Sequence, residues 1–230
     1  MLILAFDTSA VTASAAIAEA SDGKIITSAV FSVKNEMKHS EKLLVMTDAL
    51  FKALGKTPAD IGLIGCSVGP GSFTGVRIGA AMAKGFAFPK GVPCVPVSTL
   101  EALAMNTVQS KGIICPVMDA RRERFYNALF ESDGKTLTRL SADRAIQYSD
   151  LFDELSRYPD VTVCGDGMTL FERLSTNVIN NVTYASESSK DQNALSVALC
   201  AYNGYLAGKA VTCEKLNPVY LRPPQAERDN

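Results

Sequence analysis

The sequence predicts an α/β protein of two linked lobes, and three observations carry that expectation. An apolar strand followed by a hairpin opens the chain and is repeated in its second half. In both halves a buried strand then runs into a glycine-bearing loop and a helix. Hydrophobic residues make up 47% of the 230 positions and charged residues 20%, enough to bury a core and too apolar for a disordered chain. A hairpin-first order occurring twice reads as a duplicated fold around a central cleft, with an N-terminal lobe over residues 1–100 and a C-terminal lobe with an extended tail over 101–230.

Met1–Thr8 is a short apolar run ending in Asp-Thr-Ser and reads as a buried strand. Ala13–Ala20 and Lys24–Val33 flank the turn Ser21-Asp22-Gly23 and complete a three-stranded meander. Lys38–Leu54 is helical, with Gly55 placed to end it. Ile61–Val68 is a buried strand, Gly69–Ser72 a loop, and Phe73–Phe86 a helix. Val92–Val97 is a strand, and Thr99–Thr107 a helix with Ser98 as N-cap.

In the second half, Gly112–Met118 and Arg124–Glu131 read as strands joined by a charged connection, with Thr136–Ala142 as a third. Ser149–Leu155 is a short helix, and Asp160–Cys164 a strand entering Gly165-Asp166-Gly167 and a helix to Leu174. Gln192–Ala207 is a helix stopped by Gly208, and the tail from Val211 is extended because its prolines exclude regular structure.

Composition excludes several classes. A net charge of −1 is not that of a protein that grips nucleic acid unaided, which needs surplus cations to displace counterions. No apolar run approaches the ~20 residues of a membrane span, and the N-terminus lacks a basic leader, so the chain reads as cytoplasmic with no membrane partner. The six cysteines (Cys66, Cys94, Cys115, Cys164, Cys200 and Cys213) form no C-x-x-C pair and read as buried thiols. His39 is the single histidine, so a multi-histidine metal site cannot be built from this chain, and no Ser-His-Asp order is supported.

Four features are candidates for function. Asp7, Thr8 and Ser9 end the first strand, either facing phosphate and metal or bonding their own backbone. Gly69, Gly71 and Ser72 open the second helix, either offering N–H groups to an anion or making a tight turn. Asp119, Arg121 and Arg122 lie in a charged connection suited to recognising an anion or an acidic partner, or to local ion pairing in a solvated hairpin. Gly165, Asp166 and Gly167 mix a turn with a possible role in the cleft.

The helices carry the remaining signal. Apolar side chains of Lys38–Leu54 cover an arc of roughly 250°, where a helix on one core needs only ~100°. Gly75, Gly79 and Ala83 form a small-residue stripe open to another helix, while Val76, Ile78, Ala80 and Ala87 face the chain's own sheet. Leu43, Leu44, Met46, Thr47, Leu50, Phe51 and Leu54, with Phe73, Gly75, Val76, Gly79, Met82 and Ala83, are therefore expected to bind a partner, the alternative being burial of both helices inside this one chain.

Five blocks, in order, resemble the TsaB (YeaZ) family: Ile3–Ser9, His39-Ser40-Glu41, Ser67–Gly79 (SVGPGSFTGVRIG), Pro116–Leu129 (PVMDARRERFYNAL) and Pro218–Arg222 (PVYLR). The resemblance implies an actin-like ATPase fold (sugar kinase/Hsp70/actin, ribonuclease H-like). It also implies a non-catalytic scaffold that pairs with TsaD, joined by the ATPase TsaE, in threonylcarbamoyl transfer to adenosine 37 of ANN-decoding tRNAs. TsaD-like catalysts hold metal through H-x-x-x-H on the first helix; here Leu43 stands four residues after His39. The expectation is thus no catalytic residue, no metal and no cofactor on this chain, with ATP and metal on the partners. Self-association is expected without TsaD, and tRNA contact through the complex. Cys164–Gly167 is a thin echo of the family fold's adenosine loop. A free-standing ATPase or peptidase of the same fold is the alternative.

Overall fold

The first strand, β1 (Leu2–Asp7), is buried at every residue, so it must be central and covered on both faces. The computed structural model describes residues 1–34, 39–175 and 180–222. After β1 come β2 (Thr12–Ser21), β3 (Lys24–Lys34), α1 (His39–Leu54), β4 (Ile61–Gly69), α2 (Phe73–Ala87), β5 (Cys94–Ser98) and α3 (Thr99–Met105). The second half holds β6 (Gly112–Asp119), β7 (Arg124–Asn127), β8 (Phe130–Ser132), β9 (Leu137–Arg139), β10 (Arg144–Gln147), α4 (Tyr148–Leu155), β11 (Val161–Cys164), α5 (Met168–Leu174), β12 (Val182–Tyr184) and α6 (Ala194–Leu206).

Two sheets result. The first has the order β3-β2-β1-β4-β5, and the second β10-β7-β6-β11-β12 with β8 and β9 added beside β6. In both, the central strand pairs antiparallel with the next strand of its hairpin and parallel with the strand beyond (β1 with β2 and β4, β6 with β7 and β11). The duplication expected from the hairpin-first order is therefore a shared strand arrangement.

Contacts divide the chain into two units, Met1–Ala102 with Gln192–Val219, and Leu103–Asp191 with the chain from Tyr220. This corrects the expected assignment of residues 101–230 to a single C-terminal lobe. Helix α6 packs on β1, β2, β4 and β5 of the first sheet. Its start is tied there by Ser14, whose Oγ accepts from Ala194 N at 2.9 Å. A Cβ on Gly65 would stand 2.7 Å from the Ala201 side chain, so the glycine is what lets the helix lie this close.

The opposite face of the first sheet carries α1 and α2 over a core of Leu2, Leu4, Phe6, Ile17 and Ile64. Helix α1 ends as expected at Gly55, which adopts φ +61° and allows Lys56 N to donate to Phe51 O at 3.0 Å. The tail then returns. Val211 exchanges both backbone bonds with Cys94, covering part of the edge of β5, and Leu216 is fully buried in the α1–α2 core. Truncating Leu216→Ala is expected to lower unfolding free energy by about 2–5 kcal/mol in a denaturant titration. A loss below about 0.5 kcal/mol would mean that the tail is not part of this core.

Candidate functional site

The structure gathers the nominated polar residues into two clusters, one at the carboxyl end of each sheet's central strand. In the first unit Asp7 is buried, and both carboxylate oxygens are occupied. Oδ1 accepts from Ser9 N at 3.0 Å and Ser9 Oγ at 2.6 Å, and Oδ2 accepts from Ser67 Oγ at 2.7 Å. Ser67 was not singled out from sequence. Its signals were a hydroxyl in an otherwise apolar strand, just before the glycine loop, and its place at the head of the Ser67–Gly79 block.

Burial pushes the Asp7 carboxyl above its ordinary 3.8, against the pull of the hydrogen bonds from Ser9 and Ser67. Between the unfolded value and this raised one the folded chain holds more protons than the unfolded chain. Stability contributed by Asp7 therefore falls as pH rises through that window.

The glycine loop locks onto this same turn. Ser72 N donates to Ser9 O at 2.6 Å, and Thr8 Oγ1 donates to Gly75 O at 2.7 Å. Added Cβ atoms would fall 2.4 Å from Ser9 O at Gly71, 1.9 Å from Thr8 O at Gly75 and 2.6 Å from Thr8 Oγ1 at Gly79. Ser72 caps α2 by accepting from Gly75 N at 3.2 Å. Two of the N–H groups that would greet an anion are thus used internally. Gly69 faces elsewhere, and a Cβ there would meet Val219 O at 2.4 Å.

In the second unit the turn Gly165-Asp166-Gly167 lies against the end of β6. A Cβ on Gly165 would stand 2.3 Å from Val117 O, and one on Gly167 3.1 Å from Asp119 N. Asp166 is exposed. Beside this turn Arg121, Arg122 and Glu123 occupy three successive left-handed positions, φ 66°, 57° and 55°. For residues with a Cβ each costs roughly 1–2 kcal/mol, so the surroundings must hold them. Asp119 Oδ1 accepts from Arg121 N at 2.7 Å, Tyr148 N donates to Glu123 O at 2.9 Å, and Arg222 Nη1 donates to Ala120 O. Arg222, from the PVYLR block, was not nominated as a site residue.

The expected docking residues need correction. Leu43, Met46, Thr47, Leu50 and Phe51 are buried in this chain's own core, as are Gly75, Val76, Gly79 and Ala83. Leu54, Phe73 and Met82 are half-buried. The apolar arc overstated the free face because α1 lies over the sheet and also against α2, where Phe51 meets Phe86 at 6.2 Å between ring centroids. Of the nominated residues only Leu44 is fully outward, 56% exposed, and it is joined by Val45 at 68%.

The outward small residues of α2 are Ala81 and Gly85 rather than the Gly75–Gly79–Ala83 stripe, whose glycines press on Thr8 and whose Ala83 is buried in the core. A shallow groove of about 370 Å³ lies beside α1, lined by Leu44, Phe51 and Phe86 with Asp48, Lys52, Lys56, Thr57 and Pro58. At the start of α2 the Arg77 guanidinium stacks over Phe73, 3.8 Å from the ring centroid.

All six cysteines are free and buried. Burial raises Cys94 to about 11 and Cys164 to about 12, so these thiols stay protonated at neutral pH. The His39 side chain lies outside the described residues. Among the described residues no helix is long and apolar enough to cross a membrane.

Comparison with known proteins gives this fold and these clusters a context. A family model described as TsaD, tRNA N6-adenosine threonylcarbamoyltransferase, matches residues 30–229. The chain thus falls in the class of proteins built like threonylcarbamoyl-transfer enzymes of tRNA modification. The tRNA threonylcarbamoyladenosine biosynthesis protein TsaB of Bacillus subtilis is 30% identical over 228 residues, covering 99% of this chain and 96% of that protein. TsaB of Escherichia coli is 28% identical, covering 96% and 95%. A Pseudomonas aeruginosa structure described as similar to peptidase YEAZ superposes with a TM-score of 0.79 at 24% identity, covering 96% and 99%, and shares the fold. The chain belongs to the TsaB (YeaZ) family and takes part in tRNA threonylcarbamoyladenosine biosynthesis.

Asp7→Asn removes the one titration assigned to the first cluster. Chemical unfolding at a series of pH values is expected to show the variant gaining on the parent as pH rises above 3.8. A constant difference across that range would mean that Asp7 ionises normally.

Proposed function

We propose that this chain is the non-catalytic docking subunit for a TsaD-type paralogue, to which a TsaE-type ATPase is added. Threonylcarbamoyl transfer to adenosine 37 takes place on the partner, in the cytoplasm, with ATP and metal held by the partner subunits. The observation that carries the reading is the outward apolar flank of α1 and α2. Leu44 and Val45 project from α1 at 56% and 68% exposure, and the half-buried Ile78, Met82 and Phe86 line the neighbouring flank of α2. Ala81 and Gly85 lie outward on the same helix, and a Cβ on Gly85 would meet nothing within 4 Å, so a second helix can approach closely.

Three further facts support it. The first polar cluster satisfies its carboxylate through Ser9 and Ser67 and two loop amides through Ser9 O and Ser72 Oγ, which suits a scaffold better than a phosphate-handling site. The sole histidine has no partner histidine one helical turn on. The family model matched is that of the transferase itself, so a paralogue of like build is the natural partner for a like surface. Without that paralogue the same flank closes on a second copy.

Leu44→Asp with Val45→Asp tests this without touching the core. Thermal stability should stay within about 0.5 kcal/mol of the parent. Affinity for the TsaD-type paralogue, read by calorimetry or size-exclusion with light scattering, should fall at least ~30-fold, as for a ~2 kcal/mol hot spot. A folded double variant that binds with parental affinity and supports full transfer would contradict the proposal, as would sustained ATP turnover by the chain alone.

A further inference from the structure

The charged tip between β6 and β7 has a construction that hairpin closure does not require. The register leaves a three-residue loop, and such loops are ordinarily a type I turn followed by a single left-handed residue, most often glycine. Here three residues with side chains, Arg121, Arg122 and Glu123, occupy left-handed positions in succession. They are held from several directions. Asp119 Oδ1 accepts from Arg121 N at 2.7 Å, Arg124 N donates to Arg121 O at 3.3 Å, and Tyr148 N donates to Glu123 O at 2.9 Å. Arg222 reaches in from the tail to donate from Nη1 to Ala120 O and to Arg121 O. A guanidinium on two carbonyls of a left-handed turn neutralises the end where their dipoles gather, and so fixes the turn's shape.

What the turn presents is charge. The side chain of Arg121 is 82% exposed, and its contact with Asp119 is a loose 3.4 Å. Arg122 and Arg124 are exposed beside it, the latter oriented by Nε donating to Gln147 Oε1 at 2.7 Å. With Arg222 the tip holds four arginines against the carboxylates of Asp119 and Glu123, in a chain whose net charge is −1. Planar guanidinium groups held at fixed spacing match phosphate oxygens bidentately.

We propose that this tip is a phosphate-contact site for an RNA backbone, with Arg121 and Arg122 as the contacting residues and Arg222 as the residue that positions them. The RNA assignment rests on the chain's place in tRNA modification. It is favoured over a small nucleotide because the arginines stand on an exposed tip, whereas a nucleotide is bound in a concave, largely apolar pocket. One or two phosphate contacts give weak binding by this chain alone and add register to a larger complex, as backbone contacts do.

The test uses the full chain without partners, so its result is independent of whether the chain pairs with a TsaD-type paralogue. An unmodified tRNA transcript is titrated into isotope-labelled protein at low salt, with ATP and poly-glutamate as comparison titrants. Backbone amide shifts are expected to cluster at residues 119–124 with tRNA and to be much weaker with either comparison titrant. Arg121→Asn with Arg122→Asn keeps residues that tolerate left-handed backbone while removing both charges. This variant should bind tRNA about tenfold more weakly, with a log–log salt slope shallower by about 1.4 to 1.8, the value for two phosphates. Arg222→Ala should lower affinity several-fold with both contacting arginines present, and Arg222→Lys, which restores a donor, should recover most of it. A tip that does not respond to tRNA, a double asparagine variant with parental affinity and salt slope, or an equal response to ATP or poly-glutamate each overturns the proposal.

Discussion

The first unit is organised by a clasp between two backbone segments with no room for a side chain between them. Thr8 and Ser9, at the end of β1, press on Gly71, Gly75 and Gly79, where Cβ atoms would come within 1.9–2.6 Å of their oxygens. Ser72 N to Ser9 O and Thr8 Oγ1 to Gly75 O close the contact. Once α2 is held this way its orientation is set. The glycine face is inward, Ile78, Met82 and Phe86 lie at the flank towards the α1 core, and Ala81 and Gly85 are left outside. The surface assigned to a partner is therefore a consequence of packing inside this chain. Its apolar character is limited to what α2 and α1 cannot bury together.

The polar residues of the same unit follow the same economy. A carboxylate withdrawn from water at the end of a parallel strand pair would be costly alone, and Asp7 is satisfied by Ser9 and Ser67 on neighbouring segments. The equivalent strand end in the second unit takes another course. There Asp119 spends one oxygen on a backbone amide, and the arginines beyond it stay exposed. One arrangement of strands thus carries an inward-turned cluster in the first unit and an outward-turned, positively charged one in the second.

Much of this was legible in the sequence. Long, well-patterned elements such as β1, the β2–β3 hairpin, α1 and α2 fall within a few residues of their expected bounds. Short half-exposed strands did not show. Arg124–Glu131 divides into β7 and β8 at Ala128-Leu129, just after the buried Asn127, whose amide bonds Pro116 O and Ala128 O, and β10 and β12 are too short to display alternation. Helix α6 was visible as a helix but not assignable. Its small residues are buried on most sides, so it lacks an amphipathic face, and its neighbours Gly65 and Ser14 are more than a hundred residues away. The four-residue spacing of Gly75, Gly79 and Ala83 showed that they share a face. Which neighbour that face meets depends on residues 8 and 9, a contact that spacing along one helix does not encode.

Hydroxyl-radical footprinting of the chain, alone and with its TsaD-type paralogue, reads the outward flank side chain by side chain. The account predicts that Leu44 on α1 and Met82 on α2 lose reactivity when the paralogue is present, while the exposed Ile26 of β3 and Leu140 of the second unit keep theirs. Unchanged oxidation at Leu44 and Met82 in a demonstrated complex would contradict it.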